Sequence, residues 1–125
     1  MKEELESFIK HRTPIVGLAA WAARMDDRSV IHECLAPWID SKQVEQAVTR
    51  IHVAAEAMSY HRIQPKRLCW AFEKLRLYVA LRSDGFSLTF FVENRSGQTF
   101  EAAEKVLDEF VHGDPESWLN APARA

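Results

Sequence analysis

The sequence predicts an α/β domain: one five-stranded antiparallel sheet, in the spatial order 2-1-5-4-3, with a central helix on one face and terminal helices on the other. Three patterns lead there. Apolar residues recur at helical spacing from Asp40 to His61. Three short runs between Lys66 and Glu93 alternate in polarity with period two, as half-buried strands do. Two further strand-like runs, 15–23 and 29–35, precede the long helix. The order α-β-β-α-β-β-β-α within 125 residues fits a single domain over 1–113, followed by a short tail over 114–125.

Each element has its own signals. Leu5, Phe8 and Ile9 share one face of a first helix over 3–11, which Thr13-Pro14 ends because the residue before proline avoids helical angles. The run 15–23 is apolar on both faces, with Val16, Leu18 and Ala20 against Ile15, Ala19 and Trp21. Such a strand has neighbours on both sides and cover above and below. The polar stretch 24–28 reads as a turn into the second strand, 29–35, which is more mixed and closes at Pro37. Asp40 caps the central helix with Gln43 reaching back to it, and Val44, Ala47, Val48, Ile51, Ala54, Ala55 and Met58 form its inner stripe.

The meander follows. The run 66–72 sets Leu68, Trp70 and Phe72 on one face. In 75–82, Leu75, Leu77, Val79 and Leu81 oppose Arg76, Tyr78 and Arg82. Asp84-Gly85 supplies the positive φ of a tight hairpin, and Phe86, Leu88, Phe90 and Val92 then oppose Ser87, Thr89, Phe91 and Glu93. Thr99 is the expected cap of a last helix whose inner face is Phe100, Ala103, Leu107, Phe110 and Val111, with Gly113 and Pro115 as its stop. Trp118-Leu119 in the tail is expected to dock back onto the body.

The first and fifth strands, the most apolar on both faces, belong in the middle of the sheet. The second and third are then its edges, and the long helix joins opposite edges across one face. An edge strand carrying Leu68, Trp70 and Phe72 is one that natural proteins seldom leave bare, and a second copy pairing along it would satisfy its backbone.

Composition narrows the function classes. Sixteen basic and 18 acidic residues leave a formal charge of −2, a poor basis for nonspecific nucleic-acid binding. The one basic cluster, Arg62, Lys66 and Arg67, reads as a solvated loop. Met1 to Glu6 is charged with no apolar stretch behind it, and the longest apolar run is too short to cross a bilayer. A cytoplasmic chain without membrane insertion is therefore expected. Cys34 and Cys69 form no CxxC and sit in apolar strand-like runs, so reduced, buried thiols are expected.

No catalytic, cofactor or metal constellation emerges. The five histidines (His11, His32, His52, His61, His112) never take the i, i+4 spacing of a helical zinc site, and His32 with Cys34 supplies only two ligands. Ser59 lacks the G-x-S-x-G elbow a nucleophile would need beside His61 and Asp84. With four glycines in the chain, neither G-x-x-x-x-G-K-[ST] nor G-x-G-x-x-G occurs, so any bound nucleotide belongs to a partner. Most aromatics have core spacing. Trp70, on an edge strand, is the one best placed as an interface hot spot.

The element order over about residues 3–112, with Val16-Gly17-Leu18-Ala19-Ala20, the turn at Asp26-Asp27, Val30-Ile31-His32, the long central helix and the closing Leu88-Thr89-Phe90-Phe91-Val92, resembles the Roadblock (dynein light chain type) domain of the longin-like superfamily. The resemblance implies a homodimer or heterodimer joined through the third strand and the central helix, and a non-catalytic adaptor or scaffold role, often towards small Ras-like GTPases or motor complexes. With the edge-strand argument it singles out Leu68, Trp70, Phe72, Arg50, Ile51, Ala54 and Met58 as interface residues. The chain departs from the family pattern in its first turn, which lacks the glycine many members carry, and in its tail after Gly113. Two other classes compete: a small-molecule sensor of the PAS or profilin-like class, which needs an internal pocket with converging polar groups, and a secretion-type chaperone, whose acidic balance and element order differ.

Overall fold

A computed structural model describes residues 2–95 and 100–114. Helix α1 (Lys2–Lys10) leads into β1 (Leu18–Arg24) and β2 (Val30–Cys34); α2 (Ser41–Tyr60) crosses to β3 (Arg67–Ala71), β4 (Leu75–Leu81) and β5 (Ser87–Glu93); α3 (Glu101–His112) follows. The strands form one antiparallel sheet in the order β2-β1-β5-β4-β3, as the hydrophobic pattern predicts.

The sheet separates two cores. On one side Leu5, Phe8 and Ile9 of α1 and Ala103, Val106, Leu107 and Phe110 of α3 pack on Trp21, Tyr78, Leu88 and Phe90. On the other, Val44, Val48 and Ile51 of α2 pack on Ala20, Ala22, Leu77, Val79 and Phe91. The alanines of β1 let α2 lie close to the sheet, while Trp21 fills the opposite face and donates its indole N–H to Glu33 at 3.1 Å. Two cations tie the terminal helices down. Arg12 bridges α1 to Glu109 of α3 at 2.6 Å, and Arg82 donates to the Phe110 and Val111 carbonyls, satisfying groups that the end of α3 leaves unpaired.

Helix α2 begins as expected: the Asp40 carboxylate accepts from the Gln43 N–H at 2.8 Å, and the Gln43 side chain accepts from the Asp40 N–H at 3.0 Å. It ends in a Schellman motif, with the Ile63 N–H on the Met58 carbonyl and the Arg62 N–H on the Ser59 carbonyl, both at 2.9 Å. Arg62 holds φ +65° there, in the left-handed region where glycine is preferred.

Several expectations need correction. The first strand starts at Leu18, not Ile15: Val16 and Gly17 form a turn, and Val16 is 86% exposed. A register shift between Leu18 and Ala20 against β5 inserts one residue, so Leu18 joins Trp21 and Ala23 on the α1/α3 side rather than sharing a face with Ala20. Met25, read as part of a polar turn, is buried beneath it, and Arg28 in that turn holds φ +72°. Cys34 is half-buried and Cys69 exposed, because both lie on edge strands. Thr99 lies outside the described residues; the residue at the cap position of α3 is Phe100, which makes no side-chain cap bond. Gly113 follows α3 in an extended conformation, φ −75°, so no left-handed cap ends that helix. Pro115, Trp118 and Leu119 lie outside the described residues. None of the described helices is long and apolar enough to cross a membrane.

Candidate interaction surface

The outer edge of β3 is where the sheet is left open. At the two ends of the β3–β4 pairing, the Phe72 N–H donates to the Leu75 carbonyl and the Leu81 N–H to the Lys66 carbonyl, each at 2.8 Å. Antiparallel pairing alternates, so Leu68 and Trp70 also direct their backbone groups inward, to Val79 and Leu77. Arg67, Cys69 and Ala71 therefore turn their N–H and C=O groups to the free edge. Among the described residues these donors and acceptors have no partner, and their row is a template for another strand.

Side chains complete the surface on the α2 side. Leu68 and Trp70 are partly buried against the core beneath α2, and Phe72, just past the strand end, is 53% exposed. Between α2 and β3 runs a groove of about 420 Å³ bounded by Arg50, Ile51 and Ala54 on the helix and by Trp70, Phe72 and Leu77 on the sheet. Helical periodicity explains the helix wall: Gln43, Gln46, Ala47, Arg50 and Ala54 stand three or four residues apart on the flank turned toward β3.

Of the seven residues predicted for this surface, five (Trp70, Phe72, Arg50, Ile51 and Ala54) line the groove. Ile51 is buried and belongs equally to the core. Leu68 packs beside the groove without lining it. Met58, at the last turn of α2, lies beyond its end. Sequence reasoning missed Gln43, Gln46 and Ala47; stepping back from Arg50 by one and two helical turns would have found them.

The opposite edge is less inviting. The Met25 N–H reaches the Ser29 carbonyl and the Leu35 N–H the Ala19 carbonyl, which leaves Val30, His32 and Cys34 facing outward along β2. Glu33 and His32 interrupt that strand with polar groups, and Pro37 follows it. Charged residues and proline are common guards of an edge.

The side chains weighed for chemistry in the sequence have other settings among the described residues. Among the described residues no three His, Cys, Asp or Glu side chains are grouped to hold a metal ion. Ser59 and His61 stand exposed at the end of α2, while the Asp84 carboxylate accepts from Arg82 Nε at 3.0 and 3.2 Å. The basic cluster divides: Arg67 ion-pairs with Asp108 of α3 at 2.5 Å, and Arg62 serves the end of α2.

No protein-family model matches the sequence, and no curated protein is similar to it in sequence. Solved structures do share its fold. Myxococcus xanthus MglB superposes with a TM-score of 0.58 at 11% identity, over 88% of this chain and 93% of that one. A Roadblock/LC7 domain from Streptomyces avermitilis gives 0.55 at 12% identity, over 93% and 91%. MglC from Myxococcus xanthus gives 0.52 at 17% identity, over 97% and 98%. Near-complete coverage in both directions at such identities is a likeness of fold, and it is the Roadblock/longin-like fold that the element order predicts.

Proposed function

We propose that this chain is a non-catalytic adaptor that dimerises edge to edge through β3, with α2 of each copy packing beside the joined sheets, and that the assembled dimer regulates a small Ras-like GTPase. The observation that carries the reading is the coincidence of two unsatisfied surfaces: the outward backbone groups of Arg67, Cys69 and Ala71 lie beside the apolar groove of Trp70, Phe72 and Ala54. Pairing the edge supplies direction and register, and filling the groove buries apolar area. The GTPase part rests on the resemblance to Roadblock domains; in that reading the nucleotide sits on the partner, since the sequence carries no phosphate-cradling motif.

Molar mass by light scattering, for the wild type and two variants, tests the dimer. Trp70→Asp places a charge in the groove. Ala71→Pro removes an outward N–H while leaving the β3–β4 bonds intact, so it blocks the edge without touching the core. A wild-type dimer that both variants convert to folded monomers supports the reading; a dimer indifferent to both overturns it.

A further inference from the structure

A second cavity, of about 620 Å³, opens at the end of the sheet where the last residue of β1, the second half of α2, the start of β3, the β4–β5 turn and the end of α3 converge. Its volume falls in the range of small-molecule sites, roughly 300–1,000 Å³. It shares no lining residue with the α2–β3 groove.

The walls are cationic. Arg24, Lys66, Arg67 and Arg82 face two carboxylates, Glu56 and Asp108. Arg67 is neutralised by Asp108, and Arg82 by Asp84 in the adjoining turn. Among the described residues neither Arg24 nor Lys66 forms an ion pair. Arg24 is half-buried, and its Nη1 donates instead to His52 Nδ1 at 2.8 Å. A guanidinium only donates, so Nδ1 is the bare nitrogen, and the proton on Nε2 is donated to Ser87 Oγ at 2.8 Å. Burial, with Arg24 beside it, pushes the His52 pKa down to about 4, so the ring is neutral at physiological pH. A partly desolvated cation thus faces a neutral imidazole, and among the described residues no carboxylate, Glu56 included, is in ion-pair contact with it, an unfavourable arrangement that an anion would relieve. Apolar surface from Leu81, Phe86 and Val111 lies beside it.

We infer that this cavity binds a small organic anion, with its oxyanion head set between Arg24 and Lys66 and its apolar body on Leu81, Phe86 and Val111. Charge-assisted donors from two cations fix the head, and the apolar wall excludes water from the body. The site uses no residue of the dimer groove and meets the dimer edge only at Arg67, whose backbone would pair while its side chain is held by Asp108, so binding here can be read apart from the proposed dimer.

The test is titration of the full chain with phenyl phosphate, followed by NMR amide shifts, with benzyl alcohol as the uncharged control. The expected result is saturable shifts confined to Arg24, Leu81, Ser87 and their neighbours, absent with benzyl alcohol. Arg24→Gln and Lys66→Gln should each weaken binding by about tenfold. Lys66 is exposed, so its variant does not load the core. The charged groups around the ring are Arg24 on β1 and Glu56 on α2, and a phosphate seated beside them should raise the His52 pKa measurably in the bound form. No saturable shift with phenyl phosphate, equal shifts with benzyl alcohol, or affinity unchanged in both variants would overturn the proposal.

Discussion

Replacing His52 with glutamine should make the fold less sensitive to acid, and the structure fixes both sign and size. In the unfolded chain the imidazole titrates near 6.5; in the native state burial and the Arg24 charge hold it neutral down to about 4. Above pH 6.5 the ring is neutral in both states and contributes no pH dependence. As pH falls from 6.5 towards 4 the unfolded chain takes up a proton that the native state refuses, so stability declines across that window and levels off below it. At about 1.4 kcal/mol per pH unit the interval sets a ceiling of about 3 kcal/mol. Solvent reaches much of this half-buried ring, and screening lowers the expected loss to about 1.5 kcal/mol. Glutamine keeps a donor for Ser87 Oγ and does not titrate. Urea unfolding at pH 7.5 and pH 4.5, at one protein concentration, should therefore show a wild-type loss larger than the variant's by about that amount. The carboxylates titrate alike in both proteins and cancel in the comparison. Equal acid sensitivity in the two proteins would show that His52 does not set this pH dependence.

Two backbone positions and one cap give further tests by the same unfolding assay. Arg28→Gly and Arg62→Gly relieve left-handed strain at φ +72° and +65°, and each should stabilise the fold by about 0.5 kcal/mol once the greater chain entropy of glycine is subtracted. A loss of stability in both would contradict that reading. Asp40→Ala removes one bond of the reciprocal cap at the start of α2 and should cost about 1 kcal/mol, visible as a lower urea midpoint with unchanged slope.

Strand order was legible because β1 and β5 are apolar on both faces, a demand only central strands make, and because the stripe of α2 could be counted from its cap. The bulge was not. Leu18, Ala19, Ala20, Trp21, Ala22 and Ala23 are all apolar, so an inserted residue changes which face each one serves without disturbing the pattern. The open edge was legible from Trp70 and Phe72, and the helix wall of the groove only in part, since Gln43 and Gln46 read as ordinary solvated positions. The cationic cavity was invisible for a different reason. Arg24 of β1, His52 of α2, Lys66 just before β3 and Arg82 just after β4 come from four separate stretches of the chain, and nothing in the sequence pattern joins them. Only the folding of the β4–β5 turn against the ends of α2 and α3 brings them to one wall.

Edge-to-edge pairing through β3 would fix where the Cys69 sulfur stands. The strand runs Arg67–Ala71, and the residues with outward backbone groups are Arg67, Cys69 and Ala71. The two-fold antiparallel register that uses its whole length sets Cys69 against the partner subunit's Cys69, and Arg67 against the partner subunit's Ala71. Directly opposed residues of a hydrogen-bonded antiparallel pair have Cα atoms about 5.5 Å apart, within reach of a disulfide or a short bis-maleimide. Cys34 lies on the far edge of the sheet, which separates the two thiols. The measurement is therefore cross-linking of the purified protein at micromolar concentration, read by denaturing electrophoresis, in wild type, Cys34→Ser and Cys69→Ser. Pairing through β3 should give a covalent dimer in wild type and Cys34→Ser that vanishes in Cys69→Ser. A dimer linked through Cys34, or a protein that stays uncross-linked while light scattering reports a dimer, would contradict it.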